Sequence, residues 1–402
     1  MNTKKKTKKR IGKVNPILYA FVYFVIKWQY KLKYKLNIDK TVAKTIKGPA
    51  IVLAKHMSDK DHILSALTLY PVRPTYVISE HFIHNPSTAR LLKLMPVITK
   101  KMFTADLSCV IKIMRAVKEE NAVIVIFPEG RLSCYGHTLP LADGTAELIK
   151  KLGVNLYVWS SEGAYLTFPK WRDKGDDRIG KINTSVKLLM TADEVKCAEV
   201  SNIREIAEKA ILHDDELAAS GVEYKSENIA RGVDKILFKC PVCKKEGGIT
   251  AEGNHIRCTC GLDATLDNFY RLHNAPFERI NEWFEWQQNS IDTDNEVLKS
   301  QVRLGCCNEC NGFMDSCAGE GEIYLDKNEF RLKGTLHGEE IDFTVNSCKI
   351  GAFPITPGDH FDIYHDGRLI YVYPEPDAKV TVKYVCFIDK LNSELKLKAH
   401  SL

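Results

Sequence analysis

The chain of 402 residues has no apolar run long enough to cross a bilayer. Its most hydrophobic N-terminal stretch, Ile17–Ile26, has ten residues, against the ~20 that a spanning helix needs. No small-residue cleavage site follows that stretch; Lys27 and Trp28 stand there instead, which sets aside an ordinary secretory signal. No internal repeat stands out, which sets aside solenoids and arrays. Acid is nearly missing from the first fifty residues. They carry 14 of the 57 basic residues but only Asp39 of the 51 acids, so this arm stands at +13 and the remainder at −7. Scattered cysteines are also scarce: eight of the thirteen fall in two tight groups. Clustering without an export signal favours a reducing, cytoplasmic setting and metal binding over disulfides.

What is present starts with that arm. Residues 1–40 join a basic tract (Lys4–Lys13) to a short apolar helix and an alternation of aromatics and lysines through Trp28, Tyr30, Lys31 and Tyr34. Such a segment suits the bilayer interface, with lysine heads reaching lipid phosphates at about 1 kcal/mol each. The expectation is peripheral binding to the inner face of a membrane. Packing of the same helix on the next domain is the competing reading, and nucleic acid is disfavoured.

Length, with 45% hydrophobic and 27% charged residues, predicts two or three globular units. From Pro49 to Val158, β-rich runs (Ala50–Ala54, Thr75–Ile78, Ala122–Phe127, Asn155–Trp159) alternate with helical stretches (Asp61–Tyr70, Ala89–Lys93, Ala105–Glu119, Thr145–Leu152). That alternation predicts an α/β domain over 41–235, with a mixed, largely parallel sheet and flanking helices. A zinc ribbon is expected over 236–270. After it come a Trp-rich helical segment from Phe269 to Gln301 and a small antiparallel β domain, whose last strand is placed at Val380–Ile388 before a helical Leu391–Lys398.

Two stretches carry chemistry. Ile51–Asp61, IVLAKHMSDKD, delivers a histidine from a β-rich run to the start of a helix. Histidine titrates near working pH, and a carboxylate beside it fixes its tautomer. Within one helix, residues five apart diverge by about 140°, so His56 and Asp61 meet only if His56 precedes the helix. By spacing alone Asp59 competes for the role. The second stretch, Phe127-Pro128-Glu129-Gly130-Arg131, follows the buried-looking run AVIVI and brings a carboxylate, a flexible backbone position and a guanidinium to a strand end. Active sites of parallel sheets lie beyond the carboxyl ends of strands, where both stretches fall.

H-x4-D followed some seventy residues later by FPEG resembles the glycerolipid (lysophospholipid) acyltransferase family, over about residues 30–200. The resemblance implies His56 as general base, Asp61 as its partner, and catalytic roles for Glu129 and Gly130. It implies acyl transfer from an acyl thioester, acyl-CoA or acyl-carrier protein, to a lysophospholipid hydroxyl, with 1-acylglycerol 3-phosphate giving phosphatidate as the favoured reaction. Where the family reads FPEGTRS, Arg131 follows the glycine directly here. Its Gly-x-x-Phe-Ile-x-Arg element is matched only by Leu94–Lys100, with lysine for arginine. Arg131, Lys100 and Lys101 are the expected phosphate contacts, and a different lysolipid or glycolipid acceptor, or an inactive lipid-binding adaptor, are the alternatives. Backbone N–H groups near Gly130 are the expected oxyanion donors. His62, His81 and His84, with no acid at useful spacing, are read as structural or rim residues.

Cys240-x2-Cys243 and Cys258-x-Cys260, with glycines beside the knuckles, have near-ribbon spacing for structural tetrahedral Zn²⁺. Cys306, Cys307, Cys310 and Cys317 form a less regular group with a possible second site. Cys109, Cys134, Cys197, Cys348 and Cys386 read as small core residues.

Overall fold

Helix α1 (Pro16–Lys33) begins where the Asn15 side chain accepts from the Ile17 and Leu18 amides, with proline at the first helical position. The computed structural model describes residues 15–92, 95–102, 104–307 and 312–400, so the basic tract Lys4–Lys13 and Cys310 lie outside it. The chain continues through β1 (Lys35–Ile38), β2 (Ala50–Ala54), α2 (Asp61–Leu69), β3 (Thr75–Ser79), α3 (Pro86–Leu92) and β4 (Val97–Lys100). Next come α4 (Leu107–Glu120), β5 (Val123–Ile126), α5 (Thr145–Leu152), β6 (Asn155–Glu162), α6 (Ala164–Thr167) and β7 (Lys181–Met190). Three helices follow: α7 (Ala192–Cys197), α8 (Val200–Ile211) and α9 (Asp215–Ala218).

These strands make a seven-stranded sheet in the order β1-β7-β6-β2-β5-β3-β4, parallel except where β6 meets β7. Strand β2, AIVLA, is buried along its whole length, as a central strand covered on both faces must be. Its alternate side chains split between the faces. Ala50, Val52 and Ala54 join Tyr23, Leu64 and Leu67 of α1 and α2, while Ile51 and Leu53 join Ile113, Ile149 and Ile203 of α4, α5 and α8. The α/β expectation holds here. Strands β1, β4 and β7 were not foreseen, because β1 and β4 are short and the polar run Asn183, Thr184 and Ser185 breaks the alternation in β7.

The second half starts with an antiparallel four-stranded sheet of β8 (Ile249–Glu252), β9 (His255–Cys258), β10 (Asp263–Leu266) and β11 (Leu272–His273), followed by α10 (Ile280–Asn289). Then β12 (Leu298–Cys307), β13 (Met314–Leu325), β14 (Glu329–Leu336), β15 (Glu339–Asn346), β16 (Ile355–Thr356), β17 (His360–His365) and β18 (Arg368–Glu375) build an antiparallel sheet. Helix α11 (Thr381–His400) closes the chain.

Several sequence expectations need correction here. The strand placed at Val380–Ile388 is the first half of α11; Val382 and Tyr384 through Ile388 are all buried. A helix turn that is apolar all round carries no 3.6 period, and its β-branched and aromatic residues imitate a strand. The helical segment after Phe269 is confined to α10, and residues from Leu298 are strand. Strand β13 begins well before Glu322; its glycines hid it, yet Gly319 and Gly321 lie so close to the backbone of β14 that a Cβ would collide there. Cys197 and Cys348 are exposed, whereas Cys109, Cys134 and Cys386 are buried as expected.

One apolar core runs from the four-stranded sheet through α10, α11 and the larger antiparallel sheet to Met57, Cys134 and Tyr165 of the α/β unit. The second half is therefore packed against the loops where β2 and β5 end.

Candidate active site

Strands β2 and β5 are parallel and in register, Ala50 beside Val123 and Leu53 beside Ile126. Three residues beyond those last partners the chain reaches His56 in the loop after β2 and Glu129 in the loop after β5. The register alone brings them together: the His56 amide donates to Glu129 Oε1 at 2.8 Å. Glu129 Oε2 accepts the Leu139 amide at 2.7 Å, and the Ser133 amide donates back to the His56 carbonyl at 2.9 Å. Glu129 thus clamps the histidine loop to the segment after FPEG. It is buried, and burial raises its pKa to about 8 against the pull of the two amides.

His56 precedes α2, and Asp61 is that helix's first residue. The ring Nδ1 lies 3.1 Å from Asp61 Oδ2, which also accepts the Met57 and Ser58 amides at 2.9 Å each. A carboxylate only accepts, so Nδ1 carries the proton and Nε2 is left as the base. Asp61 is fully buried while the His56 ring is partly open and leans on Phe127, with centroids 4.3 Å apart. Asp59 is engaged elsewhere, held by Arg172 at 3.2 Å and Lys60 at 3.3 Å. A second pair, His213 Nε2 and Asp215 Oδ1 at 3.1 Å, is spent on structure: Asp215 also accepts the Gly163 and Tyr165 amides.

A cavity of about 1100 Å³ opens at His56 and runs between the α/β unit and the C-terminal sheet and helix. Its walls are largely apolar, with Met95, Val97, Ile113 and Leu148 on one side and Ala352 and Pro354 on the other. That volume and lining suit a ligand with an acyl chain.

The expected phosphate contacts fare differently. Lys100 lines the cavity, its pKa lowered by burial, with Nζ 3.1 Å from the Lys101 carbonyl. Lys101 is not part of the lining and reaches the Gly367 carbonyl at 3.2 Å. Arg131 lines the cavity but is ion-paired to Asp389 of α11, so a carboxylate of the chain already neutralises it. The Gly130 amide, expected near the oxyanion, donates to the Phe127 carbonyl at 3.2 Å inside a turn that sets Gly130 at φ 76°. Lys170, Lys349 and Lys396 also line the cavity, and no sequence spacing could have found them.

Of the histidines set aside, His84 bonds the Gly312 carbonyl at 2.8 Å, and burial lowers the pKa of His62 to about 4. His81 lies on the cavity wall beside His360 and Asp362 of β17. Burial lowers its pKa to about 4 and raises that of Asp362 to about 6.

Cys240, Cys243, Cys258 and Cys260 converge, every sulfur within 4.8 Å of the others. The Cys240–Cys260 and Cys243–Cys258 separations of 3.7 and 3.9 Å match the roughly 3.8 Å edge of a tetrahedron with ~2.3 Å metal–sulfur bonds. The set could hold a metal ion, with all four positions filled by protein. Of the second group, Cys306 and Cys307 are on β12 and Cys317 is exposed on β13; these three do not converge among the described residues.

Residues 33–160 match the family model described as Acyltransferase. Among solved structures, the chain is similar to the 1-acyl-sn-glycerophosphate (LPA) acyltransferase PlsC from Thermotoga maritima. Identity is 16%, coverage is 48% of this chain and 77% of that one, and the TM-score is 0.39.

Proposed function

We propose that the protein is a membrane-peripheral O-acyltransferase, a reading supported by the match of residues 33–160 to the Acyltransferase family model. It moves a fatty acyl group from acyl-CoA or acyl-carrier protein to a lysophospholipid hydroxyl, with 1-acylglycerol 3-phosphate as acceptor and phosphatidate as product. The observation that carries this reading is the His56–Asp61 pair, its Nε2 unengaged by Asp61, at the opening of a large apolar cavity.

In the proposed reaction, His56 Nε2 takes the proton from the acceptor hydroxyl as that oxygen attacks the thioester carbonyl. Asp61 holds the ring and balances the imidazolium charge. Collapse of the tetrahedral intermediate breaks the C–S bond, and the imidazolium returns its proton to the departing thiolate. Ester and thiol result. Glu129 acts on the loop rather than on substrate, since both its oxygens accept backbone amides. Lys100 and Lys170 on the cavity wall are the phosphate contacts we favour, Arg131 being paired.

Helix α1 supports the membrane part. Ile17, Phe21, Phe24, Trp28 and Leu32 stand exposed at helical spacing, while the opposite face packs, Tyr23 stacking on Tyr70 at 3.8 Å. No helix among the described residues is long and apolar enough to cross a membrane. An exposed stripe with lysines beside it fits a helix lying in the interface. We assign structural Zn²⁺ to the four converging cysteines on their separations.

A second reading, transfer to a lysolipid or glycolipid lacking the phosphate, is favoured by the Arg131–Asp389 pair, which occupies a cation the family pattern would leave for phosphate. Acyl transfer measured across a panel of lysolipids, with both donors, tests the two. Turnover with 1-acylglycerol 3-phosphate at least tenfold above the other acceptors is expected. Preference for a phosphate-free acceptor would establish the second reading, and no turnover with any pair would sink both.

A further inference from the structure

We propose that His81, His360 and Asp362 form a second metal site, for a divalent cation of the zinc class, joining the α/β unit to the C-terminal sheet on the wall of the catalytic cavity. His81 comes from the short turn of helix after β3, Glu80–Ile83. His360 and Asp362 are two apart on β17, so the strand's period of two puts them on one face. One ligand atom from each residue lies within 4.8 Å of the others. The His360 Nε2 to Asp362 Oδ1 distance is 3.4 Å, close to the roughly 3.3 Å edge of a tetrahedral site with ~2.0 Å bonds.

The polar atoms themselves point to a ligand. Asp362 is 7% exposed, and its Oδ1 has no hydrogen-bond partner; the buried His81 Nδ1 has none either. Buried polar atoms without partners are uncommon and ask for an explanation, an ion among them. His360 Nδ1 lies 2.8 Å from Asp359 Oδ2, so the proton sits on Nδ1 and the Nε2 lone pair faces Asp362. A carboxylate behind the far nitrogen of a ligating histidine is the usual way a protein orients such a ligand. Asp362 and Asp359 bring two negative charges near the ion, against the positive charge of Lys170 on the same wall.

Two imidazoles and one carboxylate are a borderline donor set suited to zinc, and three protein ligands leave a position open. All three residues line the cavity, so water or a substrate oxygen can take that position. The four-cysteine set is closed, whereas this one faces the chamber that holds His56.

The test is zinc counting on the full chain, stripped with chelator, reloaded with zinc alone and desalted. His81→Ala and Asp362→Asn should each hold one zinc fewer than the unaltered chain. Asp359→Ala should keep the ligands but bind that zinc about 10–100-fold more weakly. Reloading with cobalt separates this site from the cysteines: the ion lost in Asp362→Asn should contribute no thiolate-to-metal charge-transfer band, and Cys258→Ser should remove that band. His81 is on a connecting turn and Asp362→Asn conserves shape, so circular dichroism should show both variants folded. An unchanged zinc count in folded His81→Ala and Asp362→Asn overturns the proposal. So does a lost ion that carries the thiolate band.

Discussion

Replacing Asp61 by Asn changes the proposed base while sparing the loop that carries it. Oδ2 accepts three hydrogen bonds, from the His56 ring at 3.1 Å and from the Met57 and Ser58 amides at 2.9 Å each. An asparagine carbonyl can occupy that position and accept all three. Its NH2 then replaces Oδ1, which is buried without a partner, and two unsatisfied donors there should cost about 1–3 kcal/mol of stability. The kinetic effect is electrostatic. A carboxylate about 4 Å from the centre of an imidazolium stabilises it by ~4 kcal/mol at an effective dielectric constant near 20. That corresponds to a fall in kcat of roughly 10³-fold, in line with the ~10⁴ seen when a catalytic triad loses its acid the same way. KM for the acceptor should change little, because Asp61 is behind the ring and away from the cavity lining. Steady-state thioester cleavage, with urea unfolding as control, reads both quantities. His56→Ala should cost about 10²–10⁴-fold, and adding Asp61→Asn to it should cost little more, because the pair acts as a unit. A folded Asp61→Asn chain with kcat within tenfold of the parent would refute the assignment.

Glu129 has its pKa raised from 4.5 to about 8, so it contributes stability that is full below pH 4.5 and is lost as pH rises through about 8. Urea midpoints should therefore fall across that window, and Glu129→Gln should flatten the slope; an unchanged slope would refute the clamp's titration. Asp389→Ala leaves the buried Arg131 guanidinium unpaired and should destabilise by about 3–5 kcal/mol, while Arg131→Met with Asp389→Leu should recover most of that in urea melts. Chelation, or Cys258→Ser, should loosen the turn at Cys240; Trp283 donates to the adjacent Lys239 carbonyl at 2.9 Å, so its fluorescence should shift to the red. Phe21→Ser with Trp28→Ser removes two exposed aromatics from α1 and should lower partitioning onto anionic vesicles about 100-fold without changing the melting temperature.

Local pattern carried the sequence a long way on the α/β unit. Apolar runs bounded by turns marked β2, β3, β5 and β6, since strands buried on both faces leave an unbroken apolar signature. The spacing His56 to Asp61 required the histidine to stand before a helix, and it does. Four cysteines in two knuckles predicted their own convergence, because a short loop can present two ligands only to one point. Where the signal was lost, a neighbour had overridden it: the first half of α11 is almost wholly apolar because it is enclosed, and β13 has glycines because β14 lies against them.

Other features exist only once the chain is packed. Asp59, the acid that competes with Asp61 by spacing, is held by Arg172, more than a hundred residues away. Glu129 meets His56 through the register of β2 and β5, and Arg131 meets Asp389 across 258 residues. His81 read as an unpartnered histidine because its acid and its fellow imidazole come from β17, nearly three hundred residues on. The sequence determined which groups can act and, within a turn or two, where they stand. The tertiary structure decided which charges neutralise one another, because the energy of a buried charge depends on whatever the fold sets beside it, and no local spacing records that.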